Sequence, residues 1–331
     1  MKNKYFFVVY ILVVFVLSFN VILFLQKRSL KPSFSPVVKK QWDIRSVDTM
    51  KYSRDLARQT LFDESFDAVI DKQIANIAGT GANYVAVGTP YDEEFYPILR
   101  RWVGAARKYK LKVWFRGNFS GWEEWFDYPK IDIPTHILMT KKFILDNKDL
   151  FSDGDIFTSC PECENGTKIE WGDGRSLDKH RAFLIVEYDV AKETFTEIKK
   201  NVSTGYYSMN GDLAAVLMDR DTTAQLGGIV VIDHYVDTPE KLVKDIRDLA
   251  TRSGGKIVLG EFGAPIPDIH GEMSDKEQER WIRQAFEEIT TIPELIGVNY
   301  WVNKGGSTAL WDVHGARRPA VKAIRDFYSR K

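Results

Sequence analysis

The alternation of strand-like and helix-like segments constrains the fold of this chain most strongly. From Val47 onward the two kinds of segment follow one another with short turns between them, which is typical of parallel sheets covered by helices. The segments with strand character are Val47–Ser53, Asn83–Tyr91, Lys112–Phe119, Asp155–Glu162, Thr204–Asn210, Gly228–Val236, Lys256–Pro265 and Gly297–Asn303. Eight strand and helix units in one direction predict an α/β fold, a closed (β/α)8 TIM barrel.

The N-terminus differs from the rest of the chain. The run from Tyr5 to Leu25 carries no charge, and at 1.5 Å per residue it is long enough to cross a bilayer core of about 30 Å. Because no A-x-A-like cleavage site precedes Gln26, we predict an uncleaved transmembrane anchor rather than a signal peptide. The predicted domains are an anchor over residues 1–28, a linker over 29–44 and a barrel over 45–331.

The orientation of this anchor is ambiguous in the sequence. Lys2 and Lys4 precede the apolar run, whereas five basic residues follow it up to Lys40, and this count alone keeps the barrel in the cytoplasm. The later charges also fit a solvated linker, because KPSFSP at 31–36 has the composition of a spacer. We predict export, with the membrane-anchored barrel at the cell surface or in the periplasm.

Composition narrows the possible partners. The chain has 46 basic and 46 acidic residues, and no positive cluster lies in its body. Phosphate binding requires a clustered positive surplus, so we expect no nucleic-acid partner. We expect a monomer, with the membrane contacted through the N-terminal helix.

Polar and aromatic side chains collect at the carboxyl ends of the predicted strands, where TIM barrels carry their active sites. The residues singled out there are Arg116, Asn118, Glu162, Asn210, Asp233, His234, Tyr235, Glu261, Tyr300 and Trp301. Two carboxylates at one barrel mouth suit the cleavage of a glycosidic bond, and aromatic faces stack on sugar rings. The pattern predicts a polysaccharide or oligosaccharide substrate and no cofactor. It lacks the His and Asp clusters of a metal-dependent barrel hydrolase, so no metal is expected.

Three short motifs resemble a known family. IVLGEFG, IDHYV and NYW are similar to strand ends of the retaining (β/α)8 glycoside hydrolases of clan A, most closely the cellulase-like family five. The resemblance implies that Glu261 is the nucleophile and Glu162 the acid/base. It also implies that His234 and Tyr235 position substrate and nucleophile, and that Trp301 forms the floor of the sugar site.

The fourth strand departs from this family pattern. Clan A enzymes usually have Asn before the acid/base Glu, where it holds the sugar 2-hydroxyl, and this chain has Pro161. The departure leaves two alternatives for the acid, of which we favour Glu162 over Glu164 because the length of the strand ends on it. It also supports a second functional hypothesis, a catalytically inactive barrel that binds glycan or serves as an envelope scaffold.

The chain's two cysteines, Cys160 and Cys163, flank Glu162. In an oxidising compartment they can form a disulfide that fixes the backbone carrying the acid. Two free thiols at a strand end remain an alternative. Redox chemistry and zinc binding are disfavoured, because the motif does not open a helix and no His lies nearby to complete four zinc ligands.

The sequence allows two interpretations of several other residues. Arg116 can hold the nucleophile ionised or contact sugar, because an arginine beside a carboxylate lowers its pKa, but a structural ion pair is equally consistent. Trp122 and Trp125 have a spacing that suits either the wall of a glycan groove or a helix packed on the barrel. His136, His180 and His270 fall on helices or loops and are predicted to be surface or packing residues.

Overall fold

A computed structural model describes residues 41–167 and 174–330 of the chain. The predicted transmembrane anchor and most of the predicted linker lie outside the described residues. Among the residues that are described, none of the helices combines the length and apolar character needed to cross a bilayer.

Within the described residues, eight parallel strands form a barrel. They are β1 (Ile44–Val47), β2 (Tyr84–Val87), β3 (Lys112–Phe115), β4 (Ile156–Phe157), β5 (Ser208–Asn210), β6 (Ile229–Asp233), β7 (Lys256–Phe262) and β8 (Leu295–Tyr300). One sheet has the order β1-β8-β7-β6-β5 and the other β2-β3-β4. Parallel bridges from Asp48 to Ala86 and from Ile156 to Ser203 join the two sheets at both edges. The hydrogen bonding therefore runs around a closed barrel.

Helices surround this barrel and connect its strands. They are α1 (Met50–Ser53), α2 (Phe66–Ala78), α3 (Tyr96–Lys108), α4 (Ser120–Glu123), α5 (Ile133–Asp146), α6 (Glu164–Thr167), α7 (Gly174–Glu197), α8 (Gly211–Leu217), α9 (Arg220–Gln225), α10 (Pro239–Ser253), α11 (Pro267–His270), α12 (Asp275–Ile289) and α13 (Ala320–Tyr328). Several begin at residues whose side chains cap free amides. Thr238 accepts from Lys241 N, and Ser274 forms a capping box with Glu277.

Strand alternation separates two apolar regions. The larger one lies between strands and helices, and the smaller one fills the barrel interior. The interior residues are Ile44, Tyr84, Ala86, Trp114, Ile156, Tyr206, Val231 and Val258. Because successive side chains of a strand point to opposite faces, the residue two positions further along faces the same interior. The inward layer above this apolar one therefore contains Asp48, Arg116, Ser208 and Asp233, at the carboxyl ends of the strands.

The first strand lies earlier in the chain than the sequence pattern predicts. The prediction of a strand over Val47–Ser53 was wrong: β1 ends at Val47, and Met50–Ser53 is helix α1. The Asp48 carboxylate accepts a hydrogen bond from Met50 N at 2.6 Å, which favours this early turn into helix. Six of the other strands overlap their predicted ranges but end sooner, because their last residues leave the sheet to form the barrel mouth. β5 ends at Asn210 as predicted and begins only at Ser208.

The folded body also begins before the predicted boundary at residue 45. The Trp42 side chain is only 3% exposed. Its ring packs edge-on against Phe286, with centroids 5.1 Å apart, and also contacts Tyr328. The end of the predicted linker is thus part of the hydrophobic core.

Candidate active site

Arg116, which follows β3, is the centre of a largely buried polar network. Its guanidinium donates to the Asp48 carboxylate at 2.9 Å, to Ser208 Oγ at 2.9 Å and to the Asp233 carboxylate at 3.1 Å. A further bond of 3.3 Å reaches Glu261 Oε1. Burial opposes the charge of Arg116, but the surrounding carboxylates raise its pKa above the usual range and keep it a cation.

Glu261 lies near the end of β7 and is held by two donors. Its Oε1 accepts from Arg116, and its Oε2 accepts from the Tyr235 hydroxyl at 2.8 Å. The pairing of β7 with β6 shifts register between Ile232 and Asp233, so that Asp233 pairs with Glu261. This irregularity brings Glu261 to the interior face, since Gly260 rather than Glu261 continues the alternation from Val258.

Burial and neighbouring charges act on the carboxyls of this network in opposite directions. Burial raises the pKa of Glu261 to about 7; Arg116 and the Tyr235 hydroxyl oppose this rise, whereas the Glu162 charge adds to it. Burial likewise raises the pKa of Asp233 well above its usual range, against the influence of Arg116. Two buried carboxyls on one cation favour a state in which a proton is retained on one of them.

The end of β6 shows which of its residues face the network. Asp233 and Tyr235 point into the barrel mouth, whereas the intervening His234 points away and packs on Gly211. His234 Nε2 lies 2.9 Å from Asp245 Oδ2, on helix α10. The structure therefore brings Tyr235 to Glu261 but leaves His234 outside the mouth. Side chains alternate along a strand, so Asp233 and Tyr235 face inward and the residue between them faces outward.

The end of β8 follows the same rule. Tyr300 is fully buried between barrel and helices, and its hydroxyl donates to Thr308 O at 2.8 Å. It is not brought into the mouth. Asn299 faces inward instead and donates to Asp48 Oδ2 at 3.1 Å. Trp301 is half-buried at the mouth, with its ring centroid 6.1 Å from that of Tyr235.

Three carboxylates, those of Glu162, Glu164 and Glu123, lie in or beside the loop after β4. Glu162 is half-buried, has a left-handed backbone with φ of 45° and donates its N–H to Ser208 O. Its charge raises the pKa of both Glu261 and Asp233. Glu164 instead accepts from Asn210 N at 2.8 Å, and burial raises its pKa to about 7. Burial and the Glu162 charge also raise the pKa of Glu123 to about 7.

Two predicted substrate-binding residues are engaged locally. Asn118 is fully buried, and its Oδ1 accepts from Phe119 N and lies 3.0 Å from His136 Nε2. Asn210 is exposed, but its side chain caps α8 by accepting from Asp212 N at 2.8 Å. The structure thus places Asn118 beneath the mouth rather than within it.

The structure joins Cys160 and Cys163 in a disulfide, with Cα atoms 5.2 Å apart. Trp122 is buried against this loop and donates from Nε1 to Cys163 O at 3.1 Å, and its ring also borders a cavity lined by Ile131 and Gly166. Trp125 is half-buried at the rim, where the Arg54 guanidinium lies 4.6 Å from its ring centroid.

Sequence reasoning placed Asp233 at the end of the sixth strand without giving it a role, and it missed three members of the network: Asp48, Ser208 and Asn299. All are small or short polar residues in strand ends, where they resemble turn residues. The signal that could have found them is alternation, because Asp48 and Ser208 lie four and two residues beyond interior apolar positions, and Asn299 lies two residues beyond the inward-facing Gly297. In the described part of the chain, no three His, Cys, Asp or Glu side chains are arranged to hold a metal ion.

Comparison with known proteins supports the fold at low sequence identity. No family profile and no curated protein matches the sequence. Among solved structures, a GH5_18 enzyme from Streptomyces cattleya in complex with GlcNAc superposes with a TM-score of 0.64 at 13% identity, covering 87% of this chain and 80% of that one. The barrel shares its fold with the GH5_18 glycoside hydrolases.

Two further structures extend this likeness. A GH5_18 variant from Bifidobacterium longum subsp. longum ATCC 55813 in complex with Manβ1-4GlcNAc gives a TM-score of 0.60 at 13% identity, covering 86% of this chain and 78% of that one. A β-glucuronidase from Ruminococcus gnavus in complex with D-glucuronic acid gives 0.55 at 12% identity, covering 79% of this chain. This chain spans 46% of that glucuronidase.

Proposed function

We propose that this chain is a retaining glycoside hydrolase that cleaves a β-linked polysaccharide or oligosaccharide. The observation that carries the proposal is the fixation of Glu261 by Arg116 and Tyr235, with Glu162 close enough for its charge to act on Glu261. Both donors favour the ionised carboxylate that a nucleophile requires. The shared fold with GH5_18 enzymes supports the same reaction class.

In the proposed first step, the Glu261 carboxylate attacks the anomeric carbon while Glu162 donates a proton to the departing oxygen. The glycosidic bond breaks and a glycosyl ester forms on Glu261, so the negative charge that faced Glu162 is lost. Glu162 can then remain ionised and remove a proton from water, which hydrolyses the ester. Trp301 offers an aromatic face at the mouth for stacking on a sugar ring.

The charge of the mouth favours a neutral sugar over a uronic acid. Arg116 is the buried cation of the described network, and Asp48, Asp233 and Glu261 already occupy it. A sugar carboxylate would meet these carboxylates and Glu162, and like charges at close range are repulsive. We therefore expect the site to prefer a neutral sugar, such as the one bound in the GH5_18 structure, over the uronic acid bound in the glucuronidase.

We also include membrane tethering and export in the proposal. Their support is the uncharged run from Tyr5 to Leu25 and the Cys160–Cys163 disulfide, since disulfides persist mainly in oxidising compartments. The catalytic body would then act on glycan outside the cytoplasm while remaining attached to the membrane.

The test is hydrolysis of neutral β-glycosides beside the matching glucuronides. We expect turnover of a neutral substrate with retained anomeric configuration, read by proton NMR of the first product. Glu261→Gln should lose at least about a thousandfold in kcat, because a carboxamide cannot form the ester. Inverted product, or an unchanged rate in Glu261→Gln, would contradict the assignment. Glycan binding without turnover would favour the alternative of an inactive binding barrel. Pro161, in the place of the usual Asn, is the feature that supports this alternative.

A further inference from the structure

A chain of buried polar side chains runs beneath the loop that carries Glu162. Glu187 on α7 and His136 on α5 are both fully buried, with Glu187 Oε1 and His136 Nδ1 2.6 Å apart. The opposite ring nitrogen, Nε2, lies 3.0 Å from Asn118 Oδ1. The chain crosses from the outer helices to the end of β3.

The orientation of each group in this chain follows from its partners. Asn118 Oδ1 also accepts from Phe119 N at 2.8 Å, so this atom is the amide oxygen and His136 Nε2 must carry a hydrogen. A hydrogen also lies between His136 Nδ1 and Glu187 Oε1. The Asn118 amide nitrogen is thereby turned toward the disulfide, with Nδ2 3.6 Å from Cys160 Sγ.

The loop itself is held at two further points around Glu162. Trp122 donates to Cys163 O at 3.1 Å, and Glu162 N donates to Ser208 O at 2.8 Å. The Trp122 ring also packs on His136, with centroids 4.7 Å apart. The bonds that fix the two cysteines therefore come from side chains that the polar chain orients.

We propose that Asn118 and His136 are positioning residues that hold the Cys160–Cys163 loop so that Glu162 is aimed at the leaving oxygen. The inference rests on the proposed function, because it assigns Glu162 the role of proton donor. Apolar residues of the same size would fill this space equally well, and burying polar groups has a desolvation cost. What the polar chain adds is direction, and proton transfer depends steeply on direction and distance.

The test compares two buried asparagines. Asn118→Leu removes the amide that contacts His136 and Cys160. The matched control is Asn147→Leu, because Asn147 is also fully buried and bonded, to Phe143 O at 3.0 Å and to Arg100 at 3.1 Å. Asn147 follows α5 at the opposite end from the barrel mouth, so its loss should lower stability without reaching the loop.

The first readout is the rate on aryl β-glycosides of graded leaving-group ability. In Asn118→Leu we expect kcat/KM, which reports the first step, to fall about tenfold or more on a poor leaving group, and to stay within about twofold on a dinitrophenyl glycoside whose departure needs no proton. Asn147→Leu should change both rates equally. An equal loss on all leaving groups in Asn118→Leu, or no loss at all, would overturn the inference.

The second readout does not depend on turnover. Folded protein is exposed to dithiothreitol for timed intervals, and newly freed thiols are alkylated and counted by mass. Cys160 is fully buried and in contact with the Asn118 amide. We therefore expect reduction of the disulfide to be about threefold faster or more in Asn118→Leu, and its rate to be unchanged in Asn147→Leu. Equal reduction rates in the two variants would contradict the positioning role.

The two readouts also separate this inference from the proposed function. If the unsubstituted protein hydrolyses no glycoside, the proposed function fails, and the assignment of Glu162 fails with it. If it is active while Asn118→Leu matches Asn147→Leu in both readouts, only the positioning role fails. His136→Gln provides a second variant if Asn118→Leu does not fold, with the same expected results.

Discussion

At the scale of single residues, Arg116 explains how several buried carboxyls share one site. The cation bonds to Asp48, Asp233 and Glu261, and removing it would leave buried charges unpaired. Glu261 differs from Asp48 in the nature of its second donor, because Glu261 accepts from the Tyr235 hydroxyl whereas Asp48 accepts from Met50 N and the Asn299 amide. The ionisation of Glu261 is therefore the property that a single, small substitution can change.

Tyr235→Phe tests this directly. The hydroxyl stabilises the ionised form of Glu261, so its removal should raise the pKa of Glu261 further. A hydrogen bond to a charged group is worth about 1.5 to 3 kcal/mol, and one pKa unit corresponds to about 1.4 kcal/mol. Because the nucleophile must be ionised, activity is lost as pH falls through this pKa. The acidic limb of kcat/KM should move upward by about one pH unit.

The matched control is Tyr300→Phe. Tyr300 is a fully buried tyrosine whose hydroxyl donates to Thr308 O, away from the network. Its loss should lower the melting temperature and leave the acidic limb in place. If both variants shift the limb equally, or if neither does, the contact between Tyr235 and Glu261 does not govern the nucleophile.

At the scale of elements, β1 and the residues that flank it close the barrel. β1 pairs with β8 from Ile44 to Val47, and Asp48 continues it as a bridge to Ala86. Trp42 anchors this strand by packing on Phe286 of α12 and Tyr328 of α13. Since the last helix and the first strand meet here, this packing ties the two ends of the barrel sequence together.

Trp42→Ala should therefore destabilise the whole barrel. Truncating a buried tryptophan removes its transfer free energy and leaves a cavity, so we expect the free energy of unfolding to fall by about 3 kcal/mol. Urea denaturation followed by circular dichroism measures this change. Phe62→Ala is the control, because the Phe62 side chain is 87% exposed and its loss should change stability by less than about 0.5 kcal/mol. Equal effects of the two substitutions would contradict a core role for Trp42.

At the scale of the whole molecule, the described barrel and the preceding apolar run have different physical characters. The barrel has helices with polar outer faces, and Tyr5–Leu25 contains no charged residue. The run lies outside the described residues, so tethering remains a proposal about the intact chain. In this proposal the apolar run determines the location of the protein, and the barrel carries its activity.

We expect the full chain to sediment with membranes and to retain its original N-terminus. A chain beginning at Lys40 keeps Trp42 and β1, so it should fold and remain in the supernatant with the same kcat/KM on a small glycoside. Fractionation with N-terminal mass analysis measures the first point. A mature protein that begins after about residue 31 would rule out the anchor and indicate a secreted form.

The sequence by itself determined the barrel class, because eight alternating units and their apolar periodicity leave few compact arrangements. It also pointed to the strand ends that carry Glu162, Glu261 and Tyr235. The tertiary structure decided which neighbours share their interior. His234 and Tyr300 are next to inward residues in sequence but face outward, whereas Asp233 and Asn299 face the network. The reason is that the face to which a side chain points depends on the pairing register of its strand and on the irregularity in β7. Both are set by pairing between strands that are distant in the chain.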